Sequence, residues 1–177
     1  MGVIFVGGVY AVGKTTVCTH VAKTMNIPHH TASSLIKAEK TNAIPEEGKV
    51  VADIADNQNL LICGVQRALM ENGGRILLDG HFTLPNRDGQ IEQIAIEVFK
   101  ALDIQGVVVL HDEPDAIAAR FVARDGESRS ADTVAQHQRA ELAHAQTVCD
   151  ELGIPLMLLD AFDAVGLTKA IEQWGLA

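Results

Sequence analysis

Short apolar runs alternate along the chain with longer stretches in which apolar residues recur at helical spacing. "VIFV" at 3–6, "RILLD" at 75–79, "VVVLH" at 107–111 and "LMLLDA" at 156–161 read as buried strands. A weaker fifth strand lies near "PHHTA" at 28–32. Helical patterns begin at Thr15, cover 91–103, open at "EPDAIAARFVARD" with Pro114 suited to a first turn, fill 131–153 and run to about Trp174. Strands apolar on both faces and alternating with helices predict an α/β domain. It is a three-layer α/β/α arrangement around a central parallel sheet of about five strands. Residues 33–72 break the alternation with successive helical patterns, which predicts a helical insertion between the second and third strands. One domain then spans 1–177.

In such sheets ligands gather at the carboxyl ends of the strands, and the first strand ends in a motif. "GVYAVGKT" at 8–15 matches G-x-x-x-x-G-K-[ST], with a strand before it and a helix after it. Its glycines let Gly8, Val9, Tyr10, Ala11, Val12 and Gly13 curl so that successive N–H groups converge on one anion. The helix start adds its positive dipole end. Lys14 is placed for the β- and γ-phosphates, the Thr15 hydroxyl for magnesium, and Thr16 for the α-phosphate. ATP and Mg2+ are the implied cofactors. Asp79, closing "ILLDG", is the strand-end carboxylate expected to hold the ion, directly or through water. Asp112 and Asp160 also end strands, where capping is the simpler role.

Composition narrows the partners. A net charge of −9 argues against a nucleic-acid polymer or a membrane surface as ligand. No apolar run reaches membrane-spanning length, and the start lacks the basic residues of a signal peptide. Cys18, Cys63 and Cys149 are odd in number and without metal spacing, which suggests buried thiols in a reducing cytoplasm. His29 and His30 are adjacent, so on a strand they point apart, and a plain structural role is expected. His137 and His144, seven apart, share a helix face without an evident metal partner.

A P-loop alone does not separate kinases from switches. No N/T-K-x-D-like base-reading motif follows a late strand. "ARFVARDGESRSAD" at 119–132 instead places Arg120 and Arg124 four apart on one helix face, with Arg129 beyond a short polar stretch. Three guanidiniums in an acidic chain suggest a lid over 120–132 that closes on polyphosphate and excludes water. The simpler alternative is a helix end with Arg120 in carboxylate pairs.

With these pieces assembled, the sequence resembles the adenylate kinase-like nucleoside monophosphate kinases. The P-loop carries the likeness first. "TASSLIKAE" at 31–39 is similar to the family's S-T-G-D-x-L-R-A segment, "GRILLDGHFTL" at 74–84 to its L-L-D-G-F-P-R, and Arg120 with Arg124 to its R-x-x-x-R lid entry. The resemblance implies an ATP-dependent kinase whose 33–72 insertion binds the acceptor. It implies that Arg120 lies against the adenine, Arg124 touches phosphates, Arg129 closes on the transferring group, and Asp79 orders magnesium-bound water. It also implies that Ala161 and Phe162 border the donor base, and that Ser33, Ser34 and Lys37 face the acceptor. The sequence departs from the family where P-R becomes "HFTL". The arginine that grips the acceptor phosphate is missing there; Arg87 is the candidate replacement, and His81 is a candidate contact to the acceptor. Nucleotide acceptors, small metabolites of the shikimate or gluconate kinase type, and a regulatory nucleotide switch all remain open.

Overall fold

The computed structural model describes residues 2–42, 54–86, 88–126 and 128–175. Five parallel strands form the central sheet: β1 (Gly2–Gly7), β2 (His29–Thr31), β3 (Arg75–Asp79), β6 (Ile104–His111) and β7 (Leu156–Asp160). Their spatial order is β2-β3-β1-β6-β7, so β1 lies at the centre. It pairs with β3 on one side (Phe5 opposite Leu78) and with β6 on the other (Phe5 opposite Val107).

Alternation along β1 sends its side chains into two cores. Val3 and Phe5 pack with Leu61 and Val65 of α3 (Ile54–Glu71), Phe99 of α4 (Ile96–Ala101) and Val148 of α6 (Ala131–Leu152). Ile4 and Val6 pack on the opposite face with Val17 and Val21 of α1 (Lys14–Met25), Ile117 of α5 (Pro114–Asp125) and Ile171 of α7 (Ala164–Gln173). Both faces of the sheet are therefore covered, as continuous apolar strands require. Among the described residues of the insertion, α2 (Ala32–Asn42) and α3 are helical and pack together.

Two local signals act as anticipated. Gly153 ends α6 in the left-handed conformation, and Pro114 occupies the first turn of α5. One expectation fails. The helix predicted over 91–103 is instead a strand followed by a shorter helix: β5 (Ile91–Gln93), then α4. β5 pairs antiparallel with β4 (Thr83–Pro85). The turn between them is built by Asn86, whose Oδ1 accepts the N–H groups of Asp88 and Gln90, with Gly89 in the left-handed region. The side chain's local bonding outcompetes helix formation there.

Candidate active site

The P-loop leaves β1 at the sheet centre and re-enters structure at α1. Gly13 sits at φ 110°, where a Cβ would come within 2.6 Å of the Phe162 ring, so both backbone and space demand glycine. Gly8 is likewise at φ 142°, with the Leu110 carbonyl 2.8 Å from where a Cβ would lie. Lys14 is buried and donates from Nζ to the carbonyls of Gly8 (2.7 Å) and Val9 (3.0 Å). Burial pushes its pKa down to about 8, although Glu141 and Asp79 favour its charge.

Asp79, at the end of β3, meets Thr15 at the start of α1: Thr15 Oγ1 donates to Oδ2 at 3.1 Å. The same oxygen lies 2.8 Å from His29 Nε2. His29, given no chemical role from the sequence, is thus a direct partner of the candidate magnesium-side carboxylate. Its signal was topological rather than local, because β2 pairs with β3 and sets Thr31 opposite Asp79. Cys18 Sγ joins His29 and Asp79 with ligand atoms within 4.8 Å of one another. The Thr15–Asp79 oxygen pair fits a hard cation that keeps several waters.

Thr15 and Asp79 open on a cavity of about 540 Å³ at the carboxyl ends of the strands. Lys14, Thr15, Thr16, Asp79, Arg120 and Arg124 reach it from three different elements, and Tyr10, Ala11, Gly13, Ser33, His81 and Phe162 complete much of its wall. Arg120 is held in three ways. Its Nε donates to the Ala11 carbonyl (2.8 Å), its Nη2 to Asp112 Oδ2 (2.7 Å), and its guanidinium lies 5.2 Å from the Phe162 ring centroid. The carboxylate pair and the cavity position therefore coexist. Burial pushes the Asp112 carboxyl up, but the Arg120 and Glu113 N–H bonds outweigh it and hold it below its usual value. Asp160 pairs with His111 instead.

Other expected site residues lie elsewhere. Arg129 does not line the cavity; its guanidinium sits over Phe121 at 4.4 Å, and its charge is felt at Tyr10 and His137. Ala161 is likewise outside the wall, its N–H bonded to the His111 carbonyl. Gly8, Val9 and Val12 shape the loop from behind, the two valines being buried in the core. Ser34 is turned into the start of α2, where it exchanges hydrogen bonds with Thr31 as a reciprocal cap. Lys37 is exposed on α2 and lines neither this cavity nor the neighbouring one. Arg87 falls outside the described residues.

The carboxylate of Glu141 on α6 is the feature the sequence did not disclose. It is buried and accepts from the Gly8, Phe82 and Thr83 N–H groups and from Thr83 Oγ1. It joins the first turn of the P-loop to the segment after β3. Thr83 also bonds His137 Nε2 at 3.1 Å, while His144 Nε2 meets the Ile94 carbonyl at 2.7 Å, so both helix histidines serve the interior. Only the distance of Glu141 in sequence from its partners hid it.

Comparison with known proteins agrees with this geometry. A family model described as an AAA domain (AAA_17) matches residues 7–138, most of the chain. The chain belongs to this P-loop AAA domain family. A P-loop domain of this kind implies nucleotide binding. No curated protein matches the AAA domain chain by sequence. Two solved structures share its fold. A gluconokinase from Sinorhizobium meliloti is 14% identical with TM-score 0.53, covering 98% of this chain and 91% of its own. An uncharacterized protein from Eubacterium ventriosum is 14% identical with TM-score 0.54, covering 97% and 96%. At that identity the likeness speaks for the P-loop kinase-like fold. No helix among the described residues is long and apolar enough to cross a membrane.

Proposed function

We propose that this chain is an ATP- and magnesium-dependent phosphotransferase that passes the γ-phosphoryl group to a small acceptor. One observation carries the reading: Lys14, Thr15, Asp79, Arg120 and Arg124 converge on a single cavity beside the P-loop. Transfer of a phosphoryl group needs positioning and charge neutralisation more than covalent help. Lys14 would release the Gly8 and Val9 carbonyls and turn its charge to the β- and γ-phosphates. Thr15 and Asp79 would hold magnesium, which when bound neutralises charge on the phosphate oxygens. His29 would fix the orientation of the Asp79 carboxylate. Arg120, stacked on Phe162 and anchored to Ala11, would form the floor under the donor base. Arg124 would meet phosphate charge as it shifts during transfer.

The resemblance to nucleoside monophosphate kinases supports a nucleotide acceptor. The fold shared with a gluconokinase supports a small-metabolite acceptor. A switch that only hydrolyses slowly is the remaining reading. ADP release with ATP and magnesium, measured against nucleoside monophosphates, nucleosides and sugar acids, separates them. An acceptor-dependent rate is expected for one class. ADP release that no acceptor raises above the blank would end the kinase reading and leave the switch.

A further inference from the structure

Behind the phosphate cavity lies a second, smaller one of about 170 Å³. Tyr10, Ser33 and His81 line both, so the two communicate at that point. The inner walls are largely apolar, with Ile36, Leu61, Leu84 and Phe99 prominent. Taking about 30 Å³ for each water-sized group, the pocket has room for about six, one small ring.

Two polar atoms there are buried with no hydrogen-bond partner: Asn57 Oδ1 and His81 Nδ1. Both residues line the inner pocket. A buried acceptor left unpaired costs about 1–3 kcal/mol, so two in one pocket point to a ligand that supplies donors. The His81 ring shares a hydrogen bond with the Gly8 backbone, which leaves Nδ1 for the ligand. Tyr10 packs against that ring, the centroids 4.1 Å apart and the planes tilted by 40°.

Charge decides what the acceptor is not. No described residue of the inner wall is lysine or arginine. In the outer cavity Lys14, Arg120 and Arg124 face Asp79, and Arg120 is already paired with Asp112, so three positive charges meet two negative ones. A triphosphate with magnesium brings about two net negative charges, which more than uses that surplus. A phosphorylated acceptor would add about two more, with no further lysine or arginine among the described residues of either wall to meet them.

We infer that the acceptor is an uncharged single-ring alcohol, its ring in the inner pocket with a donor to Asn57 Oδ1 and its reacting hydroxyl on His81 Nδ1. This rests on the phosphotransferase reading. The hydroxyl oxygen forms the new bond to the γ-phosphorus, and the bond from that phosphorus to the β-bridging oxygen breaks. Its electron pair leaves with ADP. The hydroxyl proton passes to Nδ1 and then to water, giving a phosphate monoester, ADP and a proton.

The test uses γ-³²P-labelled ATP with magnesium and three acceptor sets: neutral single-ring hydroxymethyl compounds, nucleoside monophosphates, and sugar acids. Label is expected in the monoester of a neutral ring alcohol. Asn57→Leu should raise the KM for that alcohol about tenfold while shifting the ATP KM far less. His81→Ala should lower kcat about 10²-fold. If the variants fail to fold, calorimetric titration of the unmodified chain with the neutral alcohol decides, saturable binding being the expected result and its absence the contrary one. Label on a monophosphate or a sugar acid overturns this inference and leaves the phosphotransferase reading intact. Label in inorganic phosphate alone overturns both.

Discussion

The outer and inner cavities share three wall residues yet are built in opposite ways. The outer one draws most of its polar groups from one short stretch between Tyr10 and Thr16, and adds Asp79 and two arginines. It is rich in charge, and its lysine is already desolvated. The inner one is gathered from β1, the P-loop, both insertion helices, the segment after β3 and α4, and its polar content is neutral. The difference teaches that handling of a triphosphate can be written into a few adjacent residues, whereas choice of acceptor is a property of assembled tertiary structure. Glu141 stands between the two, bonded to the P-loop on one side and to Phe82 and Thr83 on the other.

Substitutions can break this contrast from either side. Lys14→Ala should have the largest effect, lowering kcat/KM on the order of 10³-fold with every acceptor, as steady-state assays across the panel would reveal. A loss confined to one acceptor would mean that Lys14 does not serve the donor. Arg124→Ala should lower kcat on the order of 10²-fold, again regardless of acceptor; an unchanged kcat would remove it from phosphate contact.

Glu141→Gln removes the charge from a carboxylate that accepts four bonds, two at each oxygen. It should cost about 3 kcal/mol and lower Tm by about 10 °C, read by thermal denaturation. Because it ties both sides, the ATP KM and the acceptor KM should rise together. A rise in one alone would show that the two cavities are independent.

The smallest effect is on pH. Lys14 titrates near 8 in the ligand-free chain, so affinity for a triphosphate should fall above that pH, by at most about tenfold per unit. Stability moves the other way. Between about 8 and the ordinary lysine value of 10.5, the unfolded chain holds a proton the folded one has released, so this group's contribution to stability rises with pH. Lys14→Arg should flatten the affinity profile; a profile that keeps its fall above pH 8 would assign the titration to another group.

The same contrast explains what the sequence made legible. β1, the P-loop and α1 could be read because strand, glycines, lysine and helix start are contiguous, and the parallel sheet followed from apolar runs such as "VVVLH". The 91–103 segment misled because Ile94, Val98, Phe99 and Leu102 carry helical spacing, whereas pairing with Thr83–Pro85 and the Asn86 turn claimed its first residues for a strand. His29 and Glu141 carry no local signature. One acquires its partner through strand order, the other across 133 residues of chain from Gly8. Arg129 looked like Arg120 in sequence but lies over Phe121, because Ser130 caps α6 immediately after it and fixes where the chain turns.

The most direct test is a crystal structure of the chain with magnesium and a non-hydrolysable ATP analogue. The account predicts the triphosphate curled in the P-loop, with Lys14 Nζ on the β- and γ-phosphates, magnesium between Thr15 and Asp79, and the base between Arg120 and Phe162. A nucleotide bound elsewhere, or one whose γ-phosphate points away from His81 and the inner pocket, would contradict it.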